Sequence, residues 1–145
     1  MQVARQIVGS DGYVLGVDIE DIRLFKWDNV DRLRGDILDG TILEHMEEKV
    51  LSPVDVIISD VSPDITGAWD VDHARQIQLA ERSLEIAQRF LRRGGNFFVK
   101  VFHGPELNSL KQRIGTSFER VRYVKPAASR RRSSEIYILA QGYKG

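Results

Sequence analysis

The sequence predicts an α/β fold with a largely parallel sheet and an antiparallel hairpin at its C-terminal end. Three observations carry this. Short apolar, β-branched runs alternate with segments of helical periodicity, as strands connected by crossover helices do. One run, Asn96 to His103, is apolar on both faces, as an interior strand covered on two sides should be. The last two strand-like segments have no helix between them and must pair antiparallel.

Val3, Ala4, Ile7 and Val8 fall at helical spacing, with Gly9 as the stop. Tyr13 to Ile19 is a short buried strand ending near Asp18. Residues 30–36 form a weak edge strand closing at Gly35-Asp36. A helix is expected over about 40–50, with Ile42, Met46 and Val50 along one stripe. Pro53 introduces the strand Val54 to Asp60, and the turn residues of 61–67 make a loop. Ile77, Ala80, Leu84, Ala87 and Leu91 define the longest helix, over about 70–93. Gly94-Gly95 ends it, and the strand carrying Lys100 follows. Pro105 suits the first turn of a helix with Leu107, Leu110 and Ile114 on its apolar face. Glu119 to Val124 and Glu135 to Gln141 are the closing strands, separated by the basic loop Lys125 to Arg132.

At 145 residues the chain has the length of one domain. A hydrophobic fraction of 42% against 29% charged is that of a globular protein with a real core. No apolar run approaches the roughly 18 residues of a membrane span, no signal-peptide pattern opens the chain, and a cytoplasmic location is expected. Without cysteine, thiolate metal sites are excluded, and His45, His73 and His103 lack ligand spacing, so no metal is expected. Zero net charge argues against a generally basic nucleic-acid binder and leaves only local patches.

The strand–helix–strand unit over 54–102 makes its two strands parallel. Asp60 and Lys100 then emerge together at the carboxyl edge of the sheet, where open α/β folds bind ligands. Asp18 ends another strand, and Glu135 begins an antiparallel one, so topology assigns both to the same edge. A lysine in an apolar strand needs an anionic partner or must shed its proton, because an unpaired buried ammonium is costly. Sheet rims are polar in any case, which accounts for some of these charges. Asp18 also matches the acidic residue that binds ribose hydroxyls about 20 residues after a glycine-rich loop. Counting back that far runs off the start of the chain, so a first strand and its glycine loop are expected upstream.

With Gly16-Val17-Asp18-Ile19, Gly35-Asp36, Val56 to Asp60, Ser62-Pro63, Gly67, Gly94 to Phe102, Lys125-Pro126, Ser129-Arg130 and Ser133 to Tyr137 in this order, the chain resembles the FtsJ-like (RrmJ-type) ribose 2′-O-methyltransferases. The resemblance covers essentially the whole chain. It implies a Rossmann-like methyltransferase sheet lacking its first strand, S-adenosylmethionine as cofactor, and an RNA substrate. Large-subunit ribosomal RNA, methylated at a uridine 2′-hydroxyl, is the first expectation; transfer RNA and an mRNA cap are lesser ones. Asp60, Lys100 and Glu135 fall on the last three members of the family's Lys-Asp-Lys-Glu tetrad, whose first lysine belongs upstream. Asp18, Asp36 and Asp60 are implied cofactor contacts. Asp64 departs from the family's frequent asparagine and adds negative charge there.

A hydroxyl is a poor nucleophile at neutral pH, so Lys100 serves either as a base or as a cation beside the developing alkoxide. Desolvation between Phe98 and Phe102 favours the base, while Asp60 and Glu135 favour the cation. Lys125, Arg130, Arg131 and Arg132 are the expected RNA contacts, through phosphates. Trp69 and Phe102 have faces on which a flipped base could stack, but such aromatics are more often core and are expected there. Two other classes compete: a non-catalytic relative that binds RNA or protein without cofactor, and a nicotinamide oxidoreductase suggested by Asp18 alone. The antiparallel hairpin and the Lys100 strand disfavour the latter. Without the upstream loop and lysine, the 145-residue chain by itself is expected to be nearly inactive.

Overall fold

The computed structural model describes residues 1–23, 26–125 and 134–145. The chain forms two compact units, Met1–Leu51 and Ser52–Gly145.

The first unit contains helix α1 (Gln2–Val8), strands β1 (Val14–Asp18) and β2 (Val30–Arg34), and helix α2 (Thr41–Lys49). Gly9 ends α1 at φ 74°, a left-handed conformation that costs glycine little. β1 and β2 pair in parallel from Val14↔Val30 to Asp18↔Arg34. Asn29 organises the turn before β2: its amide donates to the Gly9 and Ser10 carbonyls, and its Oδ1 accepts from Arg5. Of the expected α2 stripe, Ile42 and Met46 are buried, whereas Val50 lies past the last turn.

The second unit contains β3 (Val54–Ser59), α3 (Trp69–Phe90), β4 (Leu91–Phe102), α4 (Leu107–Ser117), β5 (Phe118–Val124) and β6 (Glu135–Tyr143). Its sheet runs β3-β4-β6-β5, with β3 parallel to β4 and the other pairs antiparallel. The α/β class, the parallel core and the terminal hairpin are therefore as the sequence predicts. β4 is interior, as its apolar pattern requires. Phe97, Val99 and Val101 are fully buried with Ile138 and Ala140, against Ile77, Ala80 and Leu84 of α3 and Leu110 and Ile114 of α4. Burying each of the larger side chains contributes about 1.5–3 kcal/mol.

Three boundaries and surfaces differ from the sequence expectation. The longest helix ends at Phe90 rather than near Arg93, because Leu91 is already extended and buried while Gly94 takes φ 78° in an irregular stretch of β4. Pro105 precedes α4, whose N-cap is Glu106. Coverage of the second sheet face is partial: Lys100 and Phe102 are buried there, but Val56 and Ile58 of β3 are exposed. Among the described residues, no helix is long and apolar enough to cross a membrane.

Candidate active site

Parallel pairing in register Ser59↔Val99 sets the next residue of the chain, Asp60, beside Lys100. Lys100 is 7% exposed, and its Nζ donates to the Asp60 carbonyl at 2.8 Å. The same Nζ lies 3.4 Å from Asp60 Oδ1, and that carboxylate is largely open to solvent. The buried ammonium thus has the anionic partner that its desolvation demands.

Antiparallel pairing adds two more groups on the same face. Lys100 stands opposite Tyr137, and Phe102 opposite Glu135. The Tyr137 hydroxyl donates to Asp60 Oδ1 at 3.2 Å, and its ring stacks on Phe98 with centroids 4.8 Å apart and planes 9° from parallel. Burial raises the Tyr137 phenol above the ordinary tyrosine range, reinforced by the charges of Asp60 and Glu135. Asp60, Lys100 and Glu135 are therefore brought together, with Tyr137 as a fourth member.

Gln76 fixes this arrangement from the helix side. It is completely buried, and its Nε2 donates to the Lys100 carbonyl at 2.9 Å and the Val61 carbonyl at 3.1 Å. One amide thereby ties β4 at Lys100 to the chain just after Asp60. Two turns further along α3, Ser83 bonds Ser59 across 2.8 Å. The loop that follows Asp60 is held by Asp72, 3% exposed, whose carboxylate accepts from Thr66 N, Thr66 Oγ1 and Gly67 N. These bonds, the Thr66 backbone N–H first, lower the Asp72 carboxyl below its usual range.

Sequence reasoning missed Tyr137, Gln76 and Asp72. Tyr137 carried a signal, lying two residues after Glu135 and hence on the same strand face. Gln76 carried a fainter one, as a polar residue on the core-facing stripe with Ala80 and Ala87. Trp69, expected in the core, is 46% exposed, whereas Phe102 is 4% exposed.

In the first unit, Asp18 and Asp36 lie at the carboxyl ends of adjacent strands, joined by a 2.8 Å bond from Gly35 N–H to the Asp18 carbonyl. Each carboxylate uses Oδ1 for a local turn, accepting from Glu20 N and Leu38 N respectively. Both side chains are exposed, and a carboxylate oxygen in such a place can accept from hydroxyl or amino donors. That donor set fits a nucleoside, with its ribose hydroxyls and exocyclic amine. Lys125 is exposed; Arg130, Arg131 and Arg132 lie outside the described residues. Among the described residues no cluster of His, Asp and Glu could hold a metal ion.

The FtsJ-like methyltransferase family model matches residues 1–143. Ribosomal RNA large subunit methyltransferase E of Methanocaldococcus jannaschii is 43% identical over 148 residues, which cover 100% of this chain and 60% of that protein. The chain therefore spans about 60% of that relative's length. A crystal structure of a ribosomal RNA methyltransferase from Plasmodium falciparum matches with TM-score 0.87 at 22% identity, covering 99% of this chain and 80% of that one. A methyltransferase from Streptococcus mutans in complex with SAH matches with TM-score 0.50 at 10% identity, covering 97% of this chain and 95% of that one. Both structures establish a Rossmann-like methyltransferase fold. On the family match, the chain belongs to the FtsJ-like methyltransferases.

Proposed function

We propose that this chain is the catalytic part of an S-adenosylmethionine-dependent enzyme that methylates a ribose 2′-hydroxyl of RNA, a uridine of the large ribosomal subunit. The observation that carries this is the Lys100–Asp60 pair, with Tyr137 and Glu135 on the same sheet face. The family membership and the name of the M. jannaschii relative support the reaction class and the RNA. The SAH bound in the S. mutans structure supports the cofactor.

Asp18 would accept from the cofactor ribose and Asp36 from the adenine amine. When bound, the cofactor would supply an electrophilic methyl group on a sulfonium, with the neutral thioether as its leaving group. Asp60 orients the acceptor hydroxyl. The Lys100 ammonium, held by Asp60, stabilises the oxygen as its proton passes to the solvent-open Asp60 carboxylate and on to water; positive charge fixed in a poorly solvated place is strong at that task. Glu135 and Tyr137 hold the other side of the pair. Lys125, Arg130, Arg131 and Arg132 grip phosphates, which position RNA without choosing its sequence.

Calorimetric titration of S-adenosylmethionine into the complete protein tests the cofactor half, with binding expected in the wild type and lost in Asp18→Ala. Absent binding, or binding indifferent to that substitution, removes the cofactor assignment. The complete protein, given ribosomal RNA and methyl-labelled cofactor, tests the chemistry. Label in alkali-resistant dinucleotides marks 2′-O-methylation, since the modified hydroxyl can no longer cleave its neighbouring phosphodiester. Label released with free bases would exclude it.

A further inference from the structure

The segment that follows Asp60 presents large apolar side chains to solvent: Ile65 is 64% exposed, Trp69 46% and Val71 44%. Trp69 is held by two other rings. Its ring lies 6.1 Å from that of His73 at 16° and 6.2 Å from that of Phe102 at 24°. Those two neighbours are themselves buried, at 2% and 4%. Asp72 pins the backbone just before Trp69 through Thr66 and Gly67, so the indole has a fixed base as well as fixed neighbours.

The ring supporting the indole belongs to the active-site face. Phe102 lies two residues beyond Lys100 on β4, about 7 Å along the strand on the same side. It also stands opposite Glu135 in the β4–β6 register. Trp69 therefore packs at the end of the row formed by Asp60, Lys100, Tyr137 and Glu135. In a nucleotide the base sits on C1′, bonded directly to the C2′ that bears the hydroxyl. A hydroxyl held at Lys100 thus has its base within a few ångströms, in reach of the Phe102 end of the row. Burying Phe102 and His73 would require only part of an indole, and nearly half of this one is left open.

We propose that Trp69 is the stacking surface for the base of the nucleotide being methylated, a subsite for a flat, unpaired nucleobase. This rests on the RNA methyltransferase reading and adds the group that holds the target base. Stacking tolerates every base, since each has a π-face. The side chain would therefore hold the nucleotide rather than choose its identity.

The test uses the chain in a Trp27→Phe background, where Trp69 is the remaining tryptophan. It is titrated with a single-stranded uridine tract and with an abasic ribose-phosphate tract of equal length, while anisotropy of end-labelled copies reports binding independently. Quenching of the indole by the uridine tract, but not by the abasic one, is expected. Trp69→Ala should weaken the uridine tract by roughly 10- to 100-fold and leave the abasic tract unchanged, with Trp69→Phe in between. Uridine-tract binding with unchanged indole emission, or equal loss for the two tracts in Trp69→Ala, overturns the stacking role and leaves the methyltransferase reading intact. Absence of binding to both tracts overturns the stacking role and also removes RNA from the proposed function.

Discussion

Tyr137 donates its phenolic proton to the same Asp60 oxygen that faces Lys100, so one carboxylate links a buried cation on β4 to a phenol on β6. Asp60 is the hub of the site, and its orientation depends on partners from two strands. The phenol is reluctant to ionise, first because it is partly buried and then because a tyrosinate there would face the Asp60 carboxylate. Removing that negative charge must therefore bring the phenol down. Spectrophotometric titration of tyrosinate should show one phenol moving to lower pH in Asp60→Asn. Tyr137→Phe should remove that transition while reducing methyl transfer by roughly 3- to 10-fold, the scale of one lost hydrogen bond. An unchanged tyrosine titration in Asp60→Asn would break the link.

Lys100 separates stability from activity. Burying a charged pair costs desolvation that a shape-matched apolar side chain avoids. Lys100→Met fills similar volume and leaves Asp60, largely open to solvent, free to hydrate. Its melting temperature should match or exceed that of the wild type, while methyl transfer by the complete protein falls at least about 100-fold. A variant that loses stability and activity in parallel would make Lys100 a structural residue.

The meeting of Asp60 with Lys100 was legible in the sequence because it follows from a local rule: a strand–helix–strand crossover makes parallel neighbours whose ends coincide. The α3 and α4 stripes were legible for the same reason, since helical periodicity is local. Tyr137 was harder. Its contact with Asp60 depends on which β4 residue opposes which β6 residue, and a long-range register leaves no trace in either strand alone. Gln76 bonds main-chain carbonyls, and carbonyls have no sequence signature. Trp69 misled because tryptophan's size argues for burial, whereas its exposure was decided by its place at the first turn of α3, beyond the end of β4. The end of the same helix was misjudged because Gly94-Gly95 looks like a stop, while the chain had turned extended at Leu91.

Gln76 should be among the least tolerant polar positions. Gln76→Leu keeps the volume but leaves the Val61 and Lys100 carbonyls without their donor, at about 1–3 kcal/mol. Gln76→Glu should be worse at neutral pH, since it aims an acceptor at two acceptors. Lowering the pH should narrow that gap, because a protonated carboxyl recovers one donor. Urea midpoints of both variants across pH provide the check, and a Glu variant as stable as wild type at neutral pH would contradict the bonding scheme.

Asp72 gives the loop after Asp60 a pH dependence whose sign is fixed. Its folded pKa lies below the unfolded value because the ionised form accepts from Thr66 N, Thr66 Oγ1 and Gly67 N, with Arg75 adding attraction. A depressed carboxyl stabilises the fold fully above its unfolded pKa, near 4, and loses that contribution as pH falls through the folded pKa. Asp72→Asn keeps one acceptor oxygen but turns amide hydrogens toward a donor, so it should melt several degrees lower at neutral pH. The deficit should hold steady down to about pH 5 and shrink at pH values below about 4, where the wild-type carboxyl itself takes up a proton. Thermal melts of the pair across that range decide the matter. A deficit that stays constant through the acid range would mean that the Asp72 charge does not hold the loop.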